Sequence, residues 1–571
     1  RMETYKGPPS FAKALFLGEI HPEAVFPFPR LLEDEQERVN TLVAAGREFL
    51  NAHYDPRRVE AQGWVGDDII QGLGERGLLG LYLPEQYGGQ GLSQTAYCQV
   101  FEALTAFDPT LSVVLGVHQS IGMKPIALYG SEEQKARFLP DLAAGRKLAG
   151  FALTEPNAGS DAYHIESRAS VQADGSYLLN GEKRYIGNGS KDVLVVFARD
   201  DEGDHIALIV EGGMDGFEVG RAYDTLGLRG NDLRHLYFRD VRVPPENVLS
   251  APGEGFKIAV ETLNSGRLSL GTGSVGAVKL LRDMAVEHTL ARHQFGMPLA
   301  EFELVQEKIA WMEMMQYGFH AMAYLITGMV DGGMPDFAVE TAMVKVAGTE
   351  LLWYAVNRAF QLVGGEAYIR DKSYEKILRD VRIFPIFEGA NDVLRIFIAL
   401  SCLEPLGKDL SELTDLNLRE PLQTLGTLAD YLGKRMQREF RSNGFPWVHT
   451  DFKDTANSVT GQIARIRRTG EALLREHGED IQRRQHQLRR LSEALTDIFA
   501  QVATLSRIST TLAHSSGDEH AHEARLAWTF CRYAAARVTD HLDAVDDNDD
   551  AQIQAIAQHI YTAHNFLKEG K

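Results

Sequence analysis

The stretch FALTEPNAGSDA, Phe151 to Ala162, decides how the rest of the chain is read, because the hydrophobic pattern differs on its two sides. Upstream, from Leu31 to about Gly150, apolar residues recur at helical spacing, as at Leu31, Val39, Leu42, Val43 and Phe49, and Gly88, Gly89 and Gly91 punctuate a loop. Downstream the runs shorten to strand length. Tyr177-Leu178-Leu179 lies between the turn dipeptides Asp174-Gly175 and Asn180-Gly181, and Val193 to Phe197, Ile206 to Val210 and Leu236 to Phe238 follow. From Gly255 the helical period returns and holds to about Leu406. A last helical segment carries Leu488, Leu491, Leu495, Ile498, Phe499, Val502, Leu505 and Ile508 along one stripe. The pattern predicts an N-terminal extension (1–36), a helical domain (37–150), a β domain (151–254), a second helical domain (255–406) and a C-terminal helical domain (407–571). No internal repeat is visible.

A chain of 571 residues is too long for one core, and 44% hydrophobic content supports globular folding. The formal charge of -20 argues against a nucleic-acid surface. Cys98, Cys402 and Cys531 lie far apart without CxxC spacing, so neither a disulfide framework nor a metal site is expected, and a reducing compartment fits. No run reads as a membrane span, and the N-terminus shows neither a signal-peptide core nor an Arg-rich, acid-poor transit segment.

The carboxylate of greatest interest is Glu388, within RDVRIFPIFEGANDVLR at 379–395. Pro385 breaks the helical pattern, and Gly389 lets a backbone or ligand come close. In a turn between Phe387 and the apolar Val393, Ile396 and Phe397, the carboxyl would be partly desolvated, which raises its pKa and suits a general base. Taken alone, it reads more readily as a helix-start glutamate near a macrodipole. Gly271-Thr272-Gly273-Ser274-Val275-Gly276 matches the GxGxxG of dinucleotide folds but lies in a helical stretch with no preceding strand, so it reads as small residues for close helix packing. The arginines at 465, 467, 468, 475, 483, 484, 489 and 490 fit either solvated helix faces paired with Glu and Asp or contact with an anionic membrane.

The pattern LTEPxxGSD within Phe151 to Ala162 is long and specific, and it resembles the flavin loop of the acyl-CoA dehydrogenase family. Further matches stand in the family's order: Asn180 to Lys183 leading to Tyr185 to Gly189, Leu263 to Arg267, Arg292 to Gly296, Gln361 to Gly365, and IFEGANDVLR at 386–395. SFAKALFLGEI at 10–20, VFPFP at 25–29, GVHQSIG at 116–122 and RRLSEAL at 489–495 resemble the very-long-chain branch. The resemblance covers essentially the whole chain.

It implies a mostly α fold with a central β domain, the α–β–α acyl-CoA dehydrogenase fold, plus an additional C-terminal helical domain. It also implies FAD-dependent α,β-dehydrogenation of long-chain acyl-CoA thioesters in fatty-acid β-oxidation, with electrons passed to an electron-transfer flavoprotein. Glu388 takes the catalytic-base position. FAD is met by Phe151, Leu153, Thr154, Gly159 and Ser160, by Tyr185, Ile186 and Gly187, by Arg292 and Phe295, by Gln361, Gly364 and Gly365 across a subunit interface, and by Ala390 and Asp392. Substrate is met by Ser160, Asn264, Arg267, Phe387 and Gly389. A homodimer follows, in the bacterial cytoplasm or in the mitochondrial matrix of a eukaryote, and the arginine cluster beside the apolar stripe adds the expectation of peripheral membrane contact through the C-terminal domain, at the inner membrane in a bacterium.

Three positions depart from the family's pattern. Tyr185 and Gly187 stand where Trp and then Thr or Ser are usual, Gly364-Gly365-Glu366-Ala367 replaces Gly-Gly-x-Gly, and Ala390 replaces Thr. These leave the base intact and bear on flavin tuning and on the electron acceptor. An acyl-CoA oxidase using O₂ and a flavin-bound assembly or scaffold protein are the alternatives, and the presence of Glu388 and Arg267 favours an enzyme.

Overall fold

The computed structural model describes residues 4–414, 444–514 and 519–569, and the chain divides into two units. Parts of the expected N-terminal extension and C-terminal domain, residues 1–3, 415–443, 515–518 and 570–571, lie outside the described residues. One unit comprises the chain up to Ser10 together with Glu23–Leu394; the other comprises Phe11–Pro22 and Arg395 onward.

After α1 (Phe11–Phe16) and α2 (Pro22–Val25), the first unit opens with α3 (Glu33–His53), α4 (Pro56–Gln62), α5 (Asp67–Glu75), α6 (Gln94–Phe107), α7 (Pro109–Gly116), α8 (Lys124–Tyr129) and α9 (Glu132–Ala143). Their starts are written in the sequence. Asp55 and Asp108 cap helices whose first residue is proline, Ser93 accepts from Ala96 N–H, and Ser131 with Gln134 forms a capping box. On α3 the buried residues Val39, Leu42, Gly46 and Leu50 form one helical stripe. Between α7 and α8, Val117–Gly122 is a π-helical turn, so Pro109–Tyr129 runs on as a helix long and apolar enough to span a membrane, although 72% of its most apolar window is buried. Sequence reading misses this run because His118, Gln119 and Ser120 interrupt it. All three are buried and bonded: His118 Nδ1 accepts from Ala149 N–H at 3.0 Å, Gln119 bonds the backbone of Leu78 and Leu81 at 3.1 Å each, and Ser120 meets the Tyr97 hydroxyl at 2.7 Å.

The strands are β1 (Ala149–Ala152), β2 (Arg168–Val171), β3 (Tyr177–Ile186), β4 (Val193–Arg199), β5 (His205–Glu211), β6 (Phe217–Ala222) and β7 (Arg234–Val243), in one sheet of order β1-β4-β2-β3-β7-β6 with β5 also on β4. β4 and β5 are buried along almost their whole length, which is why they read as continuous apolar runs, whereas β3 is buried only at intervals. Asn180-Gly181 is not the turn that the dipeptide predicts. It is an irregularity inside β3, where the Asn180 side chain bonds Asp240 N–H and the Asp240 carboxylate at 2.9 Å each and so holds the shifted register against β7.

The unit continues with α10 (Gly255–Ala291), the hairpin β8 (His293–Gln294) and β9 (Met297–Pro298), then α11 (Glu303–Asp331), α12 (Ala338–Val363), α13 (Tyr374–Val381) and the first turn of α14 (Asn391–Thr414). The GxGxxG stretch lies inside α10, fully buried. A Cβ on Gly271 would lie 2.6 Å from the Val344 carbonyl oxygen, and one on Gly348 would lie 2.4 Å from that of Gly271, so α10 and α12 cross at backbone contact.

In the second unit, α14 continues from Arg395 and is followed by α15 (Lys453–His477), α16 (Gln485–His514), α17 (Glu519–Asp543) and α18 (Asp550–Glu569). The stripe from Leu488 to Ile508 is its core, with every member fully buried. α1 completes that core from a distant part of the chain: Phe11 meets the Phe499 ring edge-on at 5.5 Å, and Phe16 packs on Gly470. Within the arginine cluster, Arg465 pairs with Asp543, Arg467 and Arg475 with Glu471, and Arg490 with Asp550.

Candidate functional site

Glu388 sits in a turn that a side-chain-bearing residue rarely adopts: its φ is 57°, and Gly389 follows at 94°. α13 ends at Val381, Pro385 prevents its resumption, and Asn391 starts α14, so the glutamate is presented between two helices. Two cations grip consecutive carbonyls of this turn. Arg267 Nε, from α10, donates to Glu388 O at 3.1 Å, and Lys345 Nζ, from α12, donates to Gly389 O at 2.7 Å and to Asn391 Oδ1 at 2.7 Å. The N–H groups of Glu388, Gly389 and Ala390 meet no hydrogen-bond acceptor among the described residues. Successive free N–H groups of this kind form a concavity that suits an anionic oxygen.

Glu388 is half-buried as a residue, and its Oε2 is buried with no hydrogen-bond partner among the described residues. Burial pushes its pKa from the usual 4.5 to about 6, against the opposing pull of Arg267 and Lys345. A Cβ on Gly266 would lie 3.0 Å from Glu388 Oε2 and 2.9 Å from Ile121 Cγ2, so the carboxylate approaches α10 where only a hydrogen is present. Asn264, Arg267, Phe387, Gly389 and Ala390 all gather here: Asn264 Oδ1 accepts from Arg267 at 3.3 Å, and Phe387 stacks on Phe384 at 5.4 Å.

The predicted flavin loop lies at the end of β1. Phe151 and Leu153 are buried, Thr154 is half-buried, and Gly159 and Ser160 are exposed. The loop is held from beneath by the buried pair Lys183–Glu155 at 2.7 Å, and Lys183 Nζ also donates to Leu153 O at 3.1 Å. Beside it, Arg184 N–H donates to Thr154 O at 2.8 Å. Tyr185 is half exposed at φ 61°, its ring tilted against Tyr223 at 4.9 Å and beneath the Arg184 guanidinium. Ile186 is buried. A Cβ on Gly187 would lie 3.2 Å from Val117 Cγ2 and 3.3 Å from Asn231 Oδ1, so close walls account for glycine at this position. The π-helical turn joins the two clusters, since Val117 packs on Gly187 and Ile121 packs beside Gly266 and Glu388.

The remaining predicted residues lie elsewhere. Arg292 caps α10, Phe295 stands 92% exposed at the tip of the β8–β9 hairpin, and Gln361, Gly364 and Gly365 are exposed at the end of α12. Arg292, Val363, Glu366 and Tyr374 line one open pocket of about 460 Å³. At 1.5 Å per residue, α10 spans about 38 Å from Arg267 to Arg292, and α12 about 28 Å from Lys345 to Gly364. One chain therefore keeps these residues apart from Glu388. Asp392 is exposed in the first turn of α14. Lys345 and Asn231 escape sequence reasoning: a lysine and an asparagine in ordinary helical and loop stretches carry no motif, and only their position in space marks them out.

The chain is similar to known proteins along nearly its whole length. Residues 34–146, 150–241 and 253–403 match the N-terminal, middle and C-terminal domains of acyl-CoA dehydrogenase, and residues 450–566 match the ACAD9/ACADV C-terminal domain. The mitochondrial very long-chain specific acyl-CoA dehydrogenase of Mus musculus is 36% identical over 98% of this chain and 87% of its own length. The probable acyl-CoA dehydrogenase FadE10 of Mycobacterium bovis is 31% identical over 98% of this chain and 90% of its own. The crystal structure of an acyl-CoA dehydrogenase complexed with FAD from Bacillus anthracis matches with a TM-score of 0.81 at 26% identity, covering 95% of this chain and 94% of that one. The α–β–α fold with an added C-terminal helical domain is thus borne out, and the chain belongs to the acyl-CoA dehydrogenase family, with the C-terminal domain of its ACAD9/ACADV members.

Proposed function

We propose that the first unit oxidises long-chain acyl-CoA thioesters to trans-2-enoyl-CoA, with Glu388 as the catalytic base and FAD as the bound cofactor. The observation that carries this reading is the buried Glu388 Oε2, unpaired among the described residues, in the same turn as three backbone N–H groups that meet no acceptor there. The residues present suit FAD. Gly159, Gly364 and Gly365 have open space where a Cβ would stand, Tyr185 offers an exposed ring, and the Arg292 guanidinium, for a pyrophosphate, has no ion pair among the described residues. Bound FAD supplies the two-electron acceptor for the hydride leaving the β-carbon.

The protein's own part is proton removal. A thioester α-proton is too weakly acidic for a carboxylate in water, so the developing enolate oxygen must be stabilised as the proton leaves. The Glu388 N–H is placed to donate to it, an effect worth about 3 kcal/mol per donor in sites of this type. Desolvation raises the basicity of the carboxylate at the same time. Asn264, Arg267, Ser160, Phe387 and Gly389 would meet the substrate. Because α10 and α12 hold Arg292 and Gly364 far from Glu388, the site is completed by a second copy of the chain, in a homodimer. The electron pair then passes to an electron-transfer flavoprotein. Contact of the second unit with an anionic membrane rests on Arg483, Arg484 and Arg489, exposed and without ion pairs among the described residues. The reducing conditions expected for three buried thiols fit the cytoplasm or the mitochondrial matrix.

Anaerobic mixing with a long-chain acyl-CoA tests the base. Glu388→Gln keeps the shape and FAD content, and flavin bleaching slows by at least about 10²-fold. Bleaching at the normal rate overturns the assignment. In a separate aerobic assay, hydrogen peroxide formed at the full catalytic rate without another acceptor would favour the oxidase reading, to which Gly187 is relevant.

A further inference from the structure

The turn carrying Glu388 is strained and needs to be held. Left-handed backbone at a residue with a side chain persists only where its surroundings enforce it. Arg267 supplies one restraint from α10. The other comes from Lys345, which is 0% exposed on the buried face of α12. Burying an ammonium is unfavourable unless its donors are well used. Here two of them go to the turn itself, to Gly389 O and Asn391 Oδ1, both at 2.7 Å. Asn391 is oriented in turn, its amide donating to Thr349 Oγ1 and Glu350 Oε1 at 3.0 Å each. Met343, Val344 and Val346 beside the lysine are buried and apolar, so α12 packs here without needing a charge.

We propose that Lys345 is a positioning residue for the base: by gripping the Gly389 carbonyl and Asn391, it fixes the left-handed turn so that the Glu388 carboxylate stays aimed into the site and the N–H groups of residues 388–390 stay unpaired. This rests on the reading of Glu388 as the base. The charges facing that carboxylate are Arg267 from α10 and Lys345 from α12, with Glu350 of α12 reaching the same cluster through Asn391; the π-helical turn contributes only the apolar Ile121. Lys345 also favours the ionised form of Glu388, so its removal shifts the base as well as loosening it.

The test compares Lys345→Met, Lys345→Arg and Glu388→Gln as FAD-loaded enzymes, following anaerobic flavin bleaching across roughly pH 5 to 9, a range that brackets the base's titration, together with FAD content and thermal midpoint. For Lys345→Met the expected result is retained FAD, bleaching at least about 10-fold slower, and an acid limb moved to higher pH, because one of the two cations that hold the Glu388 pKa down is gone. Lys345→Arg keeps the charge but misplaces the donors, so its acid limb stays while its rate falls. A merely structural lysine would lower the thermal midpoint without moving the limb. Lys345→Met with the wild-type rate and limb, beside an inert Glu388→Gln, overturns the proposal and leaves the base assignment standing. Should Lys345→Met not fold, a wild-type rate in Lys345→Arg overturns it instead. Normal bleaching by Glu388→Gln removes the base reading and this proposal with it.

Discussion

Glu388 is an ionisable group kept where ionisation is disfavoured, and that has a cost in stability. Its folded pKa of about 6 lies above the ordinary 4.5, so between those values the folded state holds more protons than the unfolded one. Stability therefore falls as pH rises through that window, and the full penalty, about 1–2 kcal/mol, is present above it. Glu388→Gln removes the penalty, so its urea midpoint should exceed that of the wild type at about pH 8 and converge with it near pH 4, on either side of the window. Equal midpoints at both pH values would show that the carboxylate is well solvated. The glutamate itself is legible in the sequence, because proline before it and glycine after it mark an interrupted helix. Lys345 is not, because a lysine inside an apolar helix reads as a solvated side chain until the fold brings Gly389 onto it.

The crossing of α10 and α12 sets where the two gripping cations stand. Gly271 and Gly348 bring the helices to backbone contact, and Arg267 and Lys345 each lie about one turn before that point. Gly348→Val would force the helices apart; overpacking of this kind costs about 1–3 kcal/mol, and the bleaching rate should fall together with the thermal midpoint. A stable variant with an unchanged rate would mean that the turn does not depend on the crossing. The GxGxxG stretch is recognisable as helix packing because no strand precedes it. Its partner is not, since the contact joins residues about 77 positions apart in the chain and no local pattern encodes it. For the same reason Asn180-Gly181 misleads: the dipeptide favours a turn, and a cross-strand bond to Asp240 makes it a bulge.

At the scale of the whole molecule, the residues fall into two groups that one chain does not unite, one around Glu388 and one around Arg292 and Gly364. If a second copy completes the site, FAD and the dimer stabilise each other by mass action. Arg292→Ala should then lose FAD and sediment increasingly as monomer, both reversed by excess FAD, whereas a monomer carrying full FAD would rule sharing out. The order of helical, β and helical regions is plain from the change in hydrophobic period at Phe151 and again near Gly255. The ownership of Phe11–Pro22 is hidden, because a short apolar segment says nothing about which core receives it. During synthesis, that segment leaves the ribosome more than four hundred positions before α15 and α16, on which it packs. A gene fragment beginning at Arg395 would encode the second unit without the helix that supplies Phe11 and Phe16, so a cut at that point leaves its core incomplete.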